Sequence, residues 1–327
     1  MKAIVCPDGF KGTFSAREVA GSIAAGVREG GIEAVELPLA DGGEGTLDAL
    51  LARGGERRTA TVTGPLGDPV EAAYGLLDAG RVGMVEMAQA SGLTLVPAER
   101  RDAWAASTRG TGELIAAAAA AGAERILVSV GGSATTDGGA GALAALAEDG
   151  TAVPPLTVLC DVATPYEDAA IVFGPQKGAD PEMVERLTRR LNDLAPTLPR
   201  DPRGVPMTGA AGGLAGGLWA VHEATLEPGA PFILDALDFD DRMRASRAVV
   251  TGEGKLDEQT LQGKLVGEIG TRTRQAGVPL HAIVGTDRLD GFGKRMIDLQ
   301  MVQEATNIEE LEAAGERLGT ALATGEA

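Results

Sequence analysis

Carboxylates set among glycines recur three times in this chain: Ala40-Asp41-Gly42-Gly43-Glu44-Gly45-Thr46, Thr135-Thr136-Asp137-Gly138-Gly139-Ala140-Gly141 and Thr251-Gly252-Glu253-Gly254-Lys255-Leu256-Asp257. Each follows an apolar run that reads as a β-strand. Glycine lets backbone N–H groups turn toward a ligand where a Cβ would obstruct. Carboxylates in such turns would repel a bare phosphate, so their chemistry is to hold Mg²⁺ or to accept a proton. A Mg–nucleotide site is the first reading.

The lysines support it. Only six occur, and four of them, Lys11, Lys177, Lys255 and Lys264, lie beside glycines in loop segments, while arginine supplies the ordinary surface charge. Lys11 precedes a capped helix start, a place that favours anions. Asp41 and Glu44 sit close to the end of a strand, where ligands bind in open α/β sheets, one to hold metal and the other to orient a substrate. Asp137 is a candidate proton acceptor or metal ligand. Glu253 and Asp257, with Lys255 and Lys264 as countercharges, form a candidate metal–phosphate centre. The plainer roles are helix capping for Asp41, Glu44 and Asp137, and surface ion pairing for the 253–264 segment.

Elements of alternating type must position these residues. Residues 3–7 read as a strand, and Ser15-Ala16-Arg17-Glu18 is a capping box opening a helix whose apolar positions are Val19, Ile23 and Val27. A strand at 34–39 and a helix at 46–52 complete a β-α-β-α start. Three strand-like runs at 59–63, 71–77 and 81–87, joined by turn chemistry, then form an antiparallel meander. Helix 112–121, strand 125–130, helix 140–146 and strand 156–160 follow. From about residue 245 the α/β alternation returns, with strands at 247–250, 280–284 and 300–303 and helices at 265–275 and 308–322. The expected fold is α/β in two lobes, one built from residues 1–56 and 237–327 and the other inserted as residues 57–236.

Bulk properties narrow the function. A formal charge of −18 opposes nucleic-acid binding, though a local pocket can still take a small anion. Cys6 and Cys160 are unclustered, as buried reduced thiols would be. The longest low-polarity stretch, residues 114–123, is far short of the ~20 residues that span a bilayer. No segment reads as a signal peptide; the expectation is a cytoplasmic protein without membrane partners. Nothing in the chain specifies an oligomeric state.

A P-loop, the protein-kinase motif set and a nucleophile elbow are all absent. Gly139-Ala140-Gly141-Ala142-Leu143-Ala144 does match a dinucleotide fingerprint, with Asp161 twenty residues after Gly141. Residues 131–138, however, separate it from its strand. It supports an alternative reading as an NAD(P)-dependent oxidoreductase. A third is a non-catalytic metabolite-binding protein on the same scaffold.

Six motifs in collinear order resemble the bacterial glycerate kinase family: Pro7-Asp8-Gly9-Phe10-Lys11-Gly12, the Ala40–Thr46 run quoted above, Gly131-Gly132-Ser133-Ala134-Thr135-Thr136-Asp137-Gly138-Gly139, Phe173-Gly174-Pro175-Gln176-Lys177-Gly178-Ala179, Gly209-Ala210-Ala211-Gly212-Gly213-Leu214, and the 251–257 run with Gln262-Gly263-Lys264. The likeness spans residues 2 to about 290. It departs at Gly9, where the family pattern has Ser, at Thr136 and Thr164, where it has Asn, and at a shortened 149–155 stretch. The resemblance implies a flavodoxin-like lobe and a mixed-sheet lobe of restriction-endonuclease type. It also implies ATP- and Mg²⁺-dependent phosphorylation of D-glycerate, with the 2-hydroxyl favoured over the 3-hydroxyl. On this reading Asp41, Asp137 and Lys11 are catalytic, with Asp41 or Asp137 taking the hydroxyl proton. Asp8, Glu44, Ser133, Thr135, Lys177, Gly212, Lys255 and Lys264 bind substrate or phosphate, and Glu253 and Asp257 bind metal.

Overall fold

The computed structural model describes residues 2–10, 12–261 and 264–326. Among them are eleven strands: β1 (Lys2–Val5), β2 (Glu33–Glu36), β3 (Glu56–Thr63), β4 (Pro69–Leu77), β5 (Val82–Glu86), β6 (Arg125–Ser129), β7 (Leu156–Cys160), β8 (Thr225–Pro228), β9 (Ala248–Thr251), β10 (Leu280–Val284) and β11 (Leu299–Glu304). They form two sheets in two compact units, Met1–Asp41 with Ala230–Ala327, and Gly42–Gly229. The expected boundaries at 56/57 and 236/237 therefore move to 41/42 and 229/230. The shift has a packing cause: the helix Thr46–Leu51 lies against β4 and β5 of the second unit. No helix among the described residues is long and apolar enough to cross a membrane.

In the first unit all strand pairs are parallel, in the order β11-β10-β9-β1-β2. Renumbered within the unit this is 2-1-3-4-5, the flavodoxin-like arrangement. The strands are short and almost wholly apolar because both faces are covered. One face packs Val5, Val250 and Ile283 against the helices Ala16–Glu29 and Ile308–Thr324, and the other packs Ala282 and Val284 against Val266, Leu289 and Ile297. The capping box forms as the sequence predicts: the Ser15 N–H donates to Glu18 Oε2 at 2.8 Å, and the Glu18 N–H to Ser15 Oγ at 3.3 Å. The two helices pack closely enough that a Cβ on Gly26 would sit 1.9 Å from the Glu312 carbonyl oxygen.

The second unit has the order β3-β4-β5-β6-β7-β8. β3, β4 and β5 pair antiparallel, as the meander expectation has it, and β5 to β8 pair parallel. Its core runs through Val85, Val128, Val158, Leu114, Ile115 and Leu214, which join the sheet to the helices Arg109–Ala120 and Leu214–His222. A satellite cluster around Tyr166, Leu187 and Leu191 seats the helix Pro181–Leu194.

One polar side chain in the first unit's core carries a cost. His281 on β10 is fully buried, and neither ring nitrogen has a hydrogen-bond partner among the described residues. Burial pushes its pKa down to about 4. The unfolded chain then takes up a proton near pH 6.5 that the folded chain refuses. Stability from this residue is complete above about pH 6.5 and falls as the pH drops toward 4, by on the order of 2–3 kcal/mol. Urea denaturation of His281→Leu against wild type, at pH values from 7.5 to 4.5, should show a shallower acid decline in the variant; parallel declines would contradict this.

Candidate functional site

In the first unit the carboxyl ends of β1, β9 and β10 open on a cavity of about 510 Å³. The strand order reverses between β1 and β9, and at such a switch point the flanking loops diverge and leave a crevice. Asp8, just past β1, anchors there: its N–H donates to the Gly252 carbonyl at 2.8 Å, and its Oδ1 accepts from the Gly9 N–H at 2.7 Å. Gly252 lets the chain after β9 graze β10, since a Cβ would lie 2.2 Å from the Ile283 carbonyl oxygen. The turn that follows delivers Glu253, Lys255 and Asp257 to the cavity, and the connection after β2 delivers Asp41. Phe10, Leu265 and Val266 supply apolar wall.

Its electrostatics are uneven. Asp41 is 5% exposed. Burial pushes the Glu253 carboxyl up to about 7, and the nearby Asp257 and Asp41 add to the push, while the Thr260 hydroxyl and Lys264 oppose it. Thr260 Oγ1 donates to Glu253 Oε1 at 2.6 Å. Asp257 is the reverse case: the Lys255 ammonium, 2.8 Å away, holds its carboxyl below the usual range. Asp257 also accepts from the Gln259 N–H at 3.0 Å, so it both pairs with lysine and shapes the next turn. Lys264 Nζ donates to Gln259 Oε1 at 3.2 Å and sits at the N-cap position of the helix Leu265–Ala276. The cavity thus combines an ammonium with the start of a helix, a favourable pairing for anionic oxygens. Lys11 lies outside the described residues.

No group of three or more His, Cys, Asp or Glu side chains that could hold a metal ion occurs among the described residues. Mg²⁺ at phosphoryl-transfer sites needs no such cage, since one or two carboxylates, substrate phosphates and water suffice. Glu253 fits that partial role. A carboxyl kept neutral by burial and neighbouring acids becomes stable as an anion once a cation arrives.

The second unit assembles a different constellation around residues 131–139. Asp137 is 1% exposed, and its oxygens already have four donors. Oδ2 accepts from the Thr108 N–H and hydroxyl, both at 2.9 Å, and from the Gly141 N–H at 3.1 Å; Oδ1 accepts from the Gly139 N–H at 3.1 Å. The carboxylate therefore ties together the starts of the helices Arg109–Ala120 and Ala140–Asp149. That position suits negative charge, and it gives Asp137 a task other than proton acceptor. Lys177, expected to meet phosphate, is 1% exposed and enclosed by its own chain. Its Nζ donates to Ser133 Oγ at 2.9 Å and to the Thr135 carbonyl at 2.6 Å. Gly212, at φ +64°, lies so close to this loop that a Cβ would be 2.1 Å from the Thr135 carbonyl oxygen. Glu44 is exposed and lies against Gly132.

Glu86 escapes the sequence reading. It is 3% exposed and accepts from the N–H groups of Gly45 and Leu47, both at 3.1 Å, capping the helix Thr46–Leu51 from the end of a distant strand. An acidic residue closing an otherwise apolar run was the available signal. Thr108 is also missed, and no local pattern marks it. Thr260 follows Asp257 by three residues, a spacing that does advertise a turn bond.

Comparison with known proteins gives one consistent result. The family model described as the glycerate kinase family matches residues 3–153 and 148–323. A glycerate kinase from Bacillus subtilis (strain 168) is 39% identical, with 88% of this chain and 85% of that protein covered. A glycerate 2-kinase from Escherichia coli (strain K12) is 38% identical, with the same coverage. The crystal structure of a protein described as glycerate kinase 2, from Salmonella typhimurium LT2, matches with a TM-score of 0.80 at 35% identity, covering 100% of this chain and 99% of that one.

The donor set around Asp137 makes a direct prediction. Asp137→Ala leaves backbone donors of two helix starts without an acceptor and should cost about 3 kcal/mol or more in urea denaturation. A variant as stable as wild type but without turnover would instead return Asp137 to the chemistry.

Proposed function

This chain belongs to the glycerate kinase family, and from that premise we propose that it transfers the terminal phosphoryl group of ATP to the 2-hydroxyl of D-glycerate, with Mg²⁺. The observation that supports it best is the first unit's cavity. It gathers the buried Asp41, the part-buried Asp8, Glu253 and Asp257, two lysines and a helix start at the switch point of a flavodoxin-like sheet. An NAD(P)-dependent site would have no use for that collection. The choice of the 2-position rests on the E. coli relative, whose name specifies it.

Phosphoryl transfer requires little covalent chemistry from the protein and much positioning and charge stabilisation. Lys264 and the N–H groups opening the helix Leu265–Ala276 hold phosphate oxygens. Lys255, mostly exposed and tethered to Asp257, adds charge from the rim. Glu253 and, through its turn, Asp257 would hold Mg²⁺, which supplies neutralisation of charge developing on the phosphates. Asp41, buried in the wall of this cavity, is the proton acceptor for the substrate hydroxyl. Asp8 is read as a fixed post of this cavity, bonded to both neighbouring turns.

An ADP-release assay with D-glycerate and ATP, with and without Mg²⁺, tests the reaction, and phosphorus NMR of the product identifies the hydroxyl. Activity dependent on both substrates and a 2-phosphoglycerate signal are expected. Ligand binding without turnover would leave only a metabolite-binding protein. Asp41→Asn should lower kcat by about 10²–10⁴-fold. Glu253→Gln should raise the Mg²⁺ concentration for half-maximal activity by about tenfold or more, at the level of a lost charged ligand. An unchanged Mg²⁺ dependence would remove Glu253 from the metal's surroundings.

A further inference from the structure

The first unit's cavity is sorted by charge along its sheet. Its lining crosses from the end of β1 to the end of β11, and the strands between lie in the order β1, β9, β10, β11. Three strand spacings separate those ends, about 14 Å. The charged lining, Asp8, Asp41, Glu253, Lys255, Asp257 and Lys264, comes from the connections after β1 and β2 and from the run between β9 and the helix Leu265–Ala276. The lining from beyond β10 and β11 is Gly285, Thr286 and Thr306, and none of these carries a charge. Carboxylates stand behind it: Glu304 Oε1 accepts from the Asp287 N–H at 2.6 Å, and Glu310 Oε2 accepts from the Thr306 N–H at 2.7 Å. Anionic phosphates are therefore favoured at the Lys264 end and opposed at this one. A neutral polar group suits the β10–β11 end.

Thr286 is the residue there with a hydroxyl to offer. Its carbonyl accepts from the Leu256 N–H at 2.9 Å, the Arg288 N–H returns to the Leu256 carbonyl at 2.8 Å, and the Gly285 N–H donates to the Glu253 carbonyl at 3.1 Å. Leu256 is fully buried, so these bonds anchor the turn after β10 in the core. The two turns meet closely, since a Cβ on Gly285 would lie 2.5 Å from the Gly254 carbonyl oxygen. Thr286 is half-buried, and its hydroxyl forms no hydrogen bond among the described residues. Thr306 differs: its hydroxyl donates to Glu310 Oε2 at 2.9 Å, so toward the cavity its oxygen can only accept. Of the two hydroxyls, Thr286 is the one that can both donate and accept, as pairing with a sugar hydroxyl requires.

We propose that Thr286 binds a ribose hydroxyl of the phosphoryl donor and makes the site selective for ribonucleotides over deoxyribonucleotides. The sugar is the first uncharged group beyond a nucleotide's phosphates. With the phosphates at Lys264 and the helix start, the sugar falls next along the strand ends, at Thr286, and the base lies toward β11. A β-branched side chain on a pinned backbone holds its hydroxyl in place, so little freedom is lost on binding. The inference rests on the reading that this cavity takes a nucleotide, and it adds which group of the nucleotide meets the end of β10.

Binding is measured apart from turnover, by calorimetric titration of the full-length protein with ADP, 2′-deoxy-ADP and 3′-deoxy-ADP in the presence of Mg²⁺. Wild type should bind one of the deoxy analogues about three- to tenfold more weakly than ADP, at the level of one neutral hydrogen bond. Thr286→Val, which keeps the shape and removes the hydroxyl, should weaken ADP by a similar factor and bind that analogue as well as ADP. Thr286→Ser should retain the discrimination. With ATP and D-glycerate, the valine variant should raise KM for ATP more than it lowers kcat, because the ribose is held alike in ground and transition states. Equal affinity of wild type for all three nucleotides, or discrimination that survives in Thr286→Val, overturns the ribose subsite; glycerate phosphorylation by the same protein leaves the kinase reading intact. Discrimination abolished by Thr286→Val in a protein that does not phosphorylate glycerate overturns the kinase reading and leaves the subsite. Failure of wild type to bind ADP overturns the subsite outright.

Discussion

Burying acidic groups close together is costly unless a cation joins them, and the first unit's cavity is organised around that constraint. Its sheet supplies the location, since parallel strands whose order reverses leave a crevice at their carboxyl ends. Glycine turns bring Glu253 near Asp41 and Asp257, and burial pushes its carboxyl up to about 7, with those two carboxylates adding to the push. Lys255 pairs there with Asp257, and Lys264 donates to Gln259.

The second unit follows the opposite logic. Its acidic centre is fully supplied: Asp137 has four donors, and Glu86 caps a helix with two. Lys177 is bonded there to a hydroxyl and a carbonyl, and among the described residues no carboxylate makes an ion pair with it. Both environments sit within a chain of net charge −18. The global charge would have hidden them, because each is local to a glycine-rich loop.

Much of the framework could be read from local pattern. β7 and β10 fall on the residues where an apolar run suggests them, and the antiparallel meander is present with its turns. These succeeded because strand alternation and capping depend on neighbours in sequence. The helix Pro181–Leu194 and the short β8 escaped, the first because its strongly polar face dilutes the apolar signal, the second because its partner β7 is distant in sequence. The domain boundary escaped because the helix Thr46–Leu51 is indistinguishable, as a sequence, from one that packs on its own sheet. For the site, residue types near strand ends were legible and their duties were not. Asp41, Asp137 and Glu253 look alike as carboxylates beside glycine. Only tertiary contacts separate a carboxylate with four donors from one pushed toward neutrality.

The most direct test of the central idea is a crystal of the full-length protein grown with Mn²⁺ in place of Mg²⁺ and a non-hydrolysable ATP analogue, with anomalous scattering used to locate the metal. The account predicts an anomalous peak beside the Glu253 carboxylate, with phosphate oxygens completing its coordination and Lys264 reaching the phosphates. A metal and triphosphate bound elsewhere, with the cavity around Asp41 and Glu253 left to solvent, would contradict it.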